Sequence, residues 1–274
     1  MKSKVVALAG ALMIAYIGFE YLSFRRTLAT ANLPLIPLGV TRNYPDTTAD
    51  NEPYTILILG DSTAQGIGAA RPEDSFGALV AQNQARRGKQ VRFVNLGVSG
   101  AQVRDVRTEQ VPKVAALQPD LVLLSVGAND VTAWTAPSEY LDHMEQLVSD
   151  LVRTDATVAV LNVPAIIAAP LLPYPVRLVL DERTRRYNRG LAQLLKKRPS
   201  WIAVRIYEEA REPFERDRTL FASDGYHPSS KGYALWARIT LHALAAENGE
   251  TRPLCGDRNR RSRRSGSRHS LHFD

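Results

Sequence analysis

Thr55-Ile56-Leu57-Ile58-Leu59-Gly60-Asp61-Ser62 is the stretch on which the fold turns. Four aliphatic residues follow one another without a polar break and stop at a glycine. So short an uninterrupted run suits a strand buried on both faces. Similar runs recur at 91–96, 121–126, 157–163 and, more weakly, 202–206. Helical patterns lie between them. Phe76, Leu79 and Val80 mark one apolar face, and Leu141, Met144, Leu147, Val148, Leu151 and Val152 a second, in a helix with Ser138 as N-cap. Leu191, Leu194 and Leu195 mark a third helix, and Tyr233 to Ala246 the last. Strands alternating with helices predict an α/β chain whose parallel sheet is covered on both faces.

In such a sheet ligands bind beyond the carboxyl ends of the strands, so the residues after each run carry the functional argument. Gly60-Asp61-Ser62 follows the first run, and Asn95 to Gly100 closes the second. Gly127-Ala128-Asn129-Asp130 follows the third, and Asp224-Gly225-Tyr226-His227-Pro228 comes after the fifth across a longer connection. All four fall on one edge of the predicted sheet.

A serine hydroxyl becomes a nucleophile when a base takes its proton, a task a neutral imidazole performs near neutral pH. Among the histidines, His269 and His272 lie in the tail and His143 and His242 in predicted helices, which leaves His227. Asp224, three residues earlier, is placed to accept a hydrogen bond from the second ring nitrogen and stabilise imidazolium. A tetrahedral intermediate also needs donors for its oxyanion. The backbone N–H groups of Ser62 and Gly100 and the side-chain amide of Asn129 are the candidates, while Asp130 reads as structural.

Together these four blocks resemble the SGNH-hydrolase superfamily, the GDSL-type esterases and lipases, over residues 55 to about 246. The resemblance implies a three-layer α/β/α, flavodoxin-like fold with a five-stranded parallel sheet. It implies a serine hydrolase that cleaves carboxylic (acyl) esters through an acyl-enzyme, lipase- or lysophospholipase-like or carbohydrate-esterase-like. Ser62, Asp224 and His227 would be catalytic, and Ser62, Gly100 and Asn129 would form the oxyanion hole, with Gly100 favoured over Gly97. No metal and no cofactor is implied. Thr63 stands where the family's name-giving leucine would be, a departure that touches packing rather than chemistry. Two alternatives remain: an O-acyltransferase using the same serine, and a non-enzymatic lipid- or glycan-binding module, which the intact catalytic set argues against.

Other chemistries fit less well. Gly60, Gly66 and Gly68 lack G-x-G-x-x-G spacing and no Gly-Lys-Ser follows, which argues against a nucleotide loop. A two-metal phosphoesterase would want an early Asp-x-His and clustered histidines. Gly60-Asp61-Ser62-Thr63-Ala64 lacks the second glycine of an α/β-hydrolase nucleophile elbow.

The formal charge of +7 points to no nucleic-acid partner once it is located. Seven arginines and two aspartates from Arg252 onward account for +5 of it, so residues 251–274 read as a basic, disordered tail. The single cysteine, Cys255, lies in that tail and excludes an intramolecular disulfide. At the other end Lys2 and Lys4 precede an apolar stretch reaching Phe24, long enough to cross a bilayer. Residues 1–24 read as an uncleaved anchor with the catalytic body outside the cytoplasm, the alternative being a signal cleaved near Ala29-Thr30-Ala31 before secretion. Proline-containing residues 25–53 read as a linker to a catalytic domain over 54–250. Pro164 to Leu180 is apolar and broken by four prolines, so it is expected to be neither a plain strand nor a regular helix. Its Ile166, Ile167, Leu171 and Leu172 are candidates to line an acyl groove for a small acyl-ester, lipid or acylated-carbohydrate substrate.

Overall fold

The computed structural model describes residues 2–34, 36–45, 52–151, 155–198 and 200–247. Val152, Cys255, His269, His272 and the basic tail fall outside the described residues. One sheet organises the chain. Its strands are β1 (Thr41–Tyr44), β2 (Tyr54–Gly60), β3 (Val91–Asn95), β4 (Leu121–Ser125), β5 (Thr157–Leu161) and β6 (Trp201–Val204), in the spatial order β1-β3-β2-β4-β5-β6. β2 to β6 are parallel, and the order reverses around β2, the first of them in the chain. Open α/β sheets of this kind place their ligand crevice at that reversal.

The apolar runs are continuous because both faces are buried. Within β2, Leu57 and Leu59 face one core while Ile56 and Ile58 face the other, all four fully buried. β4 divides the same way, Val122 and Leu124 opposing Leu121 and Leu123. Each such side chain contributes about 1.5–3 kcal/mol by burial, which fixes the register of these central strands. Helices Pro137–Leu151 and Tyr174–Lys196 cover one face; Phe76–Arg86, Ile206–Arg216 and Ser230–Glu247 cover the other. The three expected layers are present.

Two regions depart from the sequence expectation. The segment read as a linker supplies a sixth strand: β1 pairs antiparallel with β3, aligning Thr41 with Val94 and Tyr44 with Val91. Its Thr-Arg-Asn-Tyr sequence has no apolar alternation because β1 is an edge strand whose side chains are exposed or half-buried. The Asn95 N–H donates to Val40 O at 2.8 Å, and Ile36 is buried. The second departure is the proline-broken segment, whose later half is helical from Tyr174 onward. Pro173 occupies the N-cap and Pro175 the first turn, where a missing N–H costs nothing.

The N-terminal helix runs from Lys2 to Ala29, beyond the expected end of the apolar stretch, and is long and apolar enough to cross a membrane. Most of its apolar side chains from Val6 to Leu22 are exposed, but Phe24 is buried and Tyr21 donates its hydroxyl to Thr132 O. A chain beginning at Glu52 would therefore lack β1, Ile36 and this helical foot. Its melting temperature is expected to fall by at least about 5 °C relative to the full chain in the same detergent. An unchanged value would make the first 51 residues a dispensable leader.

Candidate active site

The site is assembled where β2, β3 and β4 end. Gly60 closes β2 at φ +142°, and a Cβ there would lie 1.8 Å from Ser125 O, so only glycine permits β2 and β4 to meet this closely. Gln110 holds this glycine from both sides. The Gly60 N–H donates to Gln110 Oε1 at 2.9 Å, and Gln110 Nε2 donates to Gly60 O at 2.9 Å. Gln110 ends a one-turn π-helix, Val106–Gln110, and is itself buried. Losing this partner would leave the Gly60 N–H unsatisfied, at about 1–3 kcal/mol, while Gly60 O would keep the Val98 N–H at 3.1 Å.

Ser62 begins a four-residue helix, Ser62–Gln65, capped by Asp61, whose Oδ1 accepts from the Thr63 N–H at 2.9 Å and the Thr63 hydroxyl at 2.8 Å. As the first helical residue Ser62 has no intrahelical acceptor for its own N–H. The Thr63 hydroxyl also lies 2.8 Å from Ser125 Oγ, so the departure from leucine gives a polar tie across the strand ends as well as a packing change. Burial pushes the Asp61 carboxyl up to about 6 against its Thr63 hydrogen bonds.

His227 brings the far end of the chain to the serine. Its Nε2 lies 2.9 Å from Ser62 Oγ and its Nδ1 2.6 Å from Asp224 Oδ2. The other carboxylate oxygen of Asp224 accepts from the Tyr226 and His227 N–H groups at 2.9 and 3.0 Å, so the acid and the base share one turn. Burial opposes ionisation of Asp224, but the His227 ring and these two N–H donors outweigh it and hold the carboxyl below its usual value. All three side chains are buried or nearly so. The predicted convergence of Ser62, Asp224 and His227 is present in the geometry.

The donor candidates are also brought to the serine. Gly100 and Asn129 border the same cleft as Ser62 and His227. Asn129 Nδ2 donates one hydrogen to Ala101 O at 3.0 Å, which fixes the plane of the amide. Asp130 behaves as a strut: its carboxylate accepts from the Val103 N–H at 3.1 Å, and burial pushes it up to about 7. Gly97 turns inward instead, its N–H donating to Asn95 Oδ1 and its Cα packed against the backbone at Gln65. Gln65 links the serine helix to the N-terminal segment, donating to Ile36 O at 2.7 Å and accepting from the Ser99 N–H at 2.8 Å.

Two cavities of unlike character meet at Ser62. The first, ≈ 50 Å³, is bounded by Ile166, Ala169, Phe214, Phe221 and Trp236. The second, ≈ 580 Å³, has Arg25, Leu28 and Leu33 on one wall and Gln65, Gly100 and Asn129 on the other. Of the four groove candidates only Ile166 borders the first cavity. Leu172 is fully buried in the core and Leu171 packs against the same cluster, its N–H donating to Gly225 O. Ile166 starts the short 3₁₀ turn Ile166–Ala168, whereas Leu171 and Leu172 lie beyond it, where the chain is tied to Gly225. Phe214, Phe221 and Trp236 were not anticipated, because their apolar spacing on the sequence is that of ordinary core residues.

Residues 58–235 match the GDSL-like lipase/acylhydrolase family. A GDSL-like esterase of Mycobacterium tuberculosis is 29% identical over 192 residues, a match covering 69% of this chain and 61% of that protein's length. An acetylxylan esterase of Geobacillus stearothermophilus is 30% identical over 217 residues, covering 70% of this chain and 94% of the relative. A solved structure of a variant acetyl xylan esterase from the same organism superposes with a TM-score of 0.54 at 25% identity, covering 74% of this chain and 97% of that one.

The buried Asp61 generates a prediction about pH. Its folded value, about 6, exceeds the ordinary value of 3.8, so between those limits the folded chain keeps a proton that the unfolded chain releases. Stability therefore declines as pH rises through that window. Asp61→Asn retains an acceptor for Thr63 and removes the titration. Urea unfolding should give a shallower decline for the variant between about pH 4 and pH 6, and parallel curves would assign the decline to other groups.

Proposed function

From the premise that the chain belongs to the GDSL-like lipase/acylhydrolase family, we propose that it is a serine esterase selective for short acyl groups. The observation that carries this reading is the chain of hydrogen bonds Asp224–His227–Ser62 opening onto a cavity of only ≈ 50 Å³. That space is about a tenth of the ≈ 580 Å³ cleft on the other side of Ser62. An acetyl to butyryl group fits this description and an octanoyl chain does not. The larger cleft on the other side of Ser62 then takes the alcohol portion.

The reaction follows from the geometry. His227 Nε2 accepts the Ser62 hydroxyl proton as Oγ bonds to the carbonyl carbon. The carbonyl oxygen becomes anionic and is met by the Ser62 and Gly100 N–H groups and by the free hydrogen of the Asn129 amide. Ionised Asp224 stabilises the imidazolium and holds its Nδ1–H. Collapse breaks the bond to the alcohol oxygen, which leaves with the proton from His227. Water repeats the sequence in reverse roles and releases the carboxylic acid. The esterase and acetylxylan esterase relatives support this class of substrate. We further assign the exposed N-terminal helix as a membrane anchor, on the strength of its length and apolar surface.

Ser62→Ala should abolish ester hydrolysis and labelling by a fluorophosphonate probe while circular dichroism stays unchanged; retained activity would overturn the assignment. Asn129→Ala should lower kcat by about 10²–10³-fold with a smaller effect on KM. A change confined to KM would make Asn129 a ground-state binding residue.

The chain-length reading is tested with p-nitrophenyl esters. Wild type should favour acetyl or butyryl over octanoyl by at least about tenfold in kcat/KM, and Ile166→Ala should shift the preference toward longer chains. Equal rates on acetyl and octanoyl esters would place the acyl chain outside this cavity.

A further inference from the structure

Three contacts carry the foot of the N-terminal helix into the catalytic edge, through the Tyr21 hydroxyl, the Tyr21 ring and the Phe24 ring. Tyr21 donates to Thr132 O, three residues beyond Asn129, and its ring stands 5.9 Å from that of Trp134. Phe24 is 2% exposed, with its ring 5.4 Å from Tyr226. Tyr226 in turn stands edge-on to the His227 ring at 5.2 Å. Trp134 is held from its other side by Arg183, 4.8 Å above the ring. A helix used only as a tether would need none of these contacts.

Arg25 follows Phe24 and, unlike it, is exposed on the wall of the ≈ 580 Å³ cleft that also contains Ser62, Gly100 and Asn129. Among the described residues Arg25 has no ion pair, and neither aspartate nor glutamate borders that cleft. A guanidinium in a half-enclosed cleft, with no carboxylate to neutralise it, suits a carboxylate, sulfate or phosphate presented with two oxygens. The cleft also contains Ser99, whose hydroxyl suits a hydroxyl on the same molecule, while Gln65 and Gln102 are engaged in bonds within the protein.

We propose that the N-terminal helix is a component of the substrate site and that Arg25 makes the enzyme selective for esters whose alcohol portion carries an anionic group. The inference rests on the esterase reading and extends it to the leaving group. Length supports a retained helix. From Lys2 to Tyr16 it spans about 22 Å at 1.5 Å per residue, most of the ~30 Å hydrocarbon core of a bilayer. Packing on the body begins at the next residue, Ile17, and continues through Tyr21 and Phe24, so no spacer lies between membrane and cleft. Loss of the first 31 residues would remove Arg25, Leu28 and the aromatic contacts together.

A matched pair of acetyl esters tests the proposal on the full chain in detergent micelles: 4-acetoxybenzoate, anionic at neutral pH, and its neutral methyl ester. Wild type is expected to favour the anion in kcat/KM. Arg25→Gln should lower the anion-to-neutral ratio by about tenfold, Arg25→Glu should lower it further, and Arg25→Lys should restore part of it. Arg26→Gln, one position along and outside the cleft wall, should keep the wild-type ratio. A ratio indifferent to Arg25, with both esters hydrolysed, would overturn this inference while leaving the esterase standing. Hydrolysis of neither ester would overturn the esterase reading and this proposal with it.

Discussion

The close approach of Gly60 to Ser125 is the constraint from which the catalytic edge follows. Side chains on two neighbouring parallel strands normally keep their termini apart, yet here a carbonyl occupies the space a Cβ would need. That approach lets the chain turn at once from β2 into the short Ser62 helix and presents the hydroxyl at the reversal of strand order. Gln110 fixes the glycine peptide from a different segment, so the nucleophile's position depends on the long connection between β3 and β4 as well as on β2. Thr63 and Ser125 complete the tie with their hydroxyls. A buried polar web of this kind is worth most when every member is satisfied, because an unpaired group in a low-dielectric interior is costly.

The residues legible in the sequence share one property: each lies within a few positions of a strand end. Ser62, Gly100 and Asn129 are placed by short covalent connections, so finding the strand finds the residue. His227 and Asp224 lie farther from their strand but are tied to each other by a three-residue spacing. Gln110 has no such neighbour, and Gln65, though close to the end of β2, carries no chemistry that singles it out. Their partners are backbone atoms 50 and 29 residues away, and a buried glutamine between charged and apolar residues has no period that would mark it. β1 escaped for a related reason, since an edge strand need not alternate. The first turns of the Tyr174–Lys196 helix, whose later part Leu191, Leu194 and Leu195 mark, were hidden by prolines that are tolerated where they stand, in the cap and first turn.

The two cavities at Ser62 are built from different parts of the chain. The small cavity is made by the catalytic domain alone, from the turn after β5 and from helices on the opposite face. The large cleft takes one wall from residues before β1. On the proposed reading, acyl selectivity and leaving-group selectivity are carried by separate structures, and each can change without disturbing the hydrogen bonds among Ser62, His227 and Asp224.

β1 has a consequence apart from catalysis. Without it, β3 would form the margin of the sheet and present a row of unpaired backbone donors and acceptors to any other extended chain. The segment before the catalytic domain occupies that row with four residues, one of them the charged Arg42, whose ion pair with Glu73 holds it in place. The opposite margin, β6, is equally short. Copies meeting edge to edge then find a short polar strand at that margin in place of β3, which offers them little to pair with.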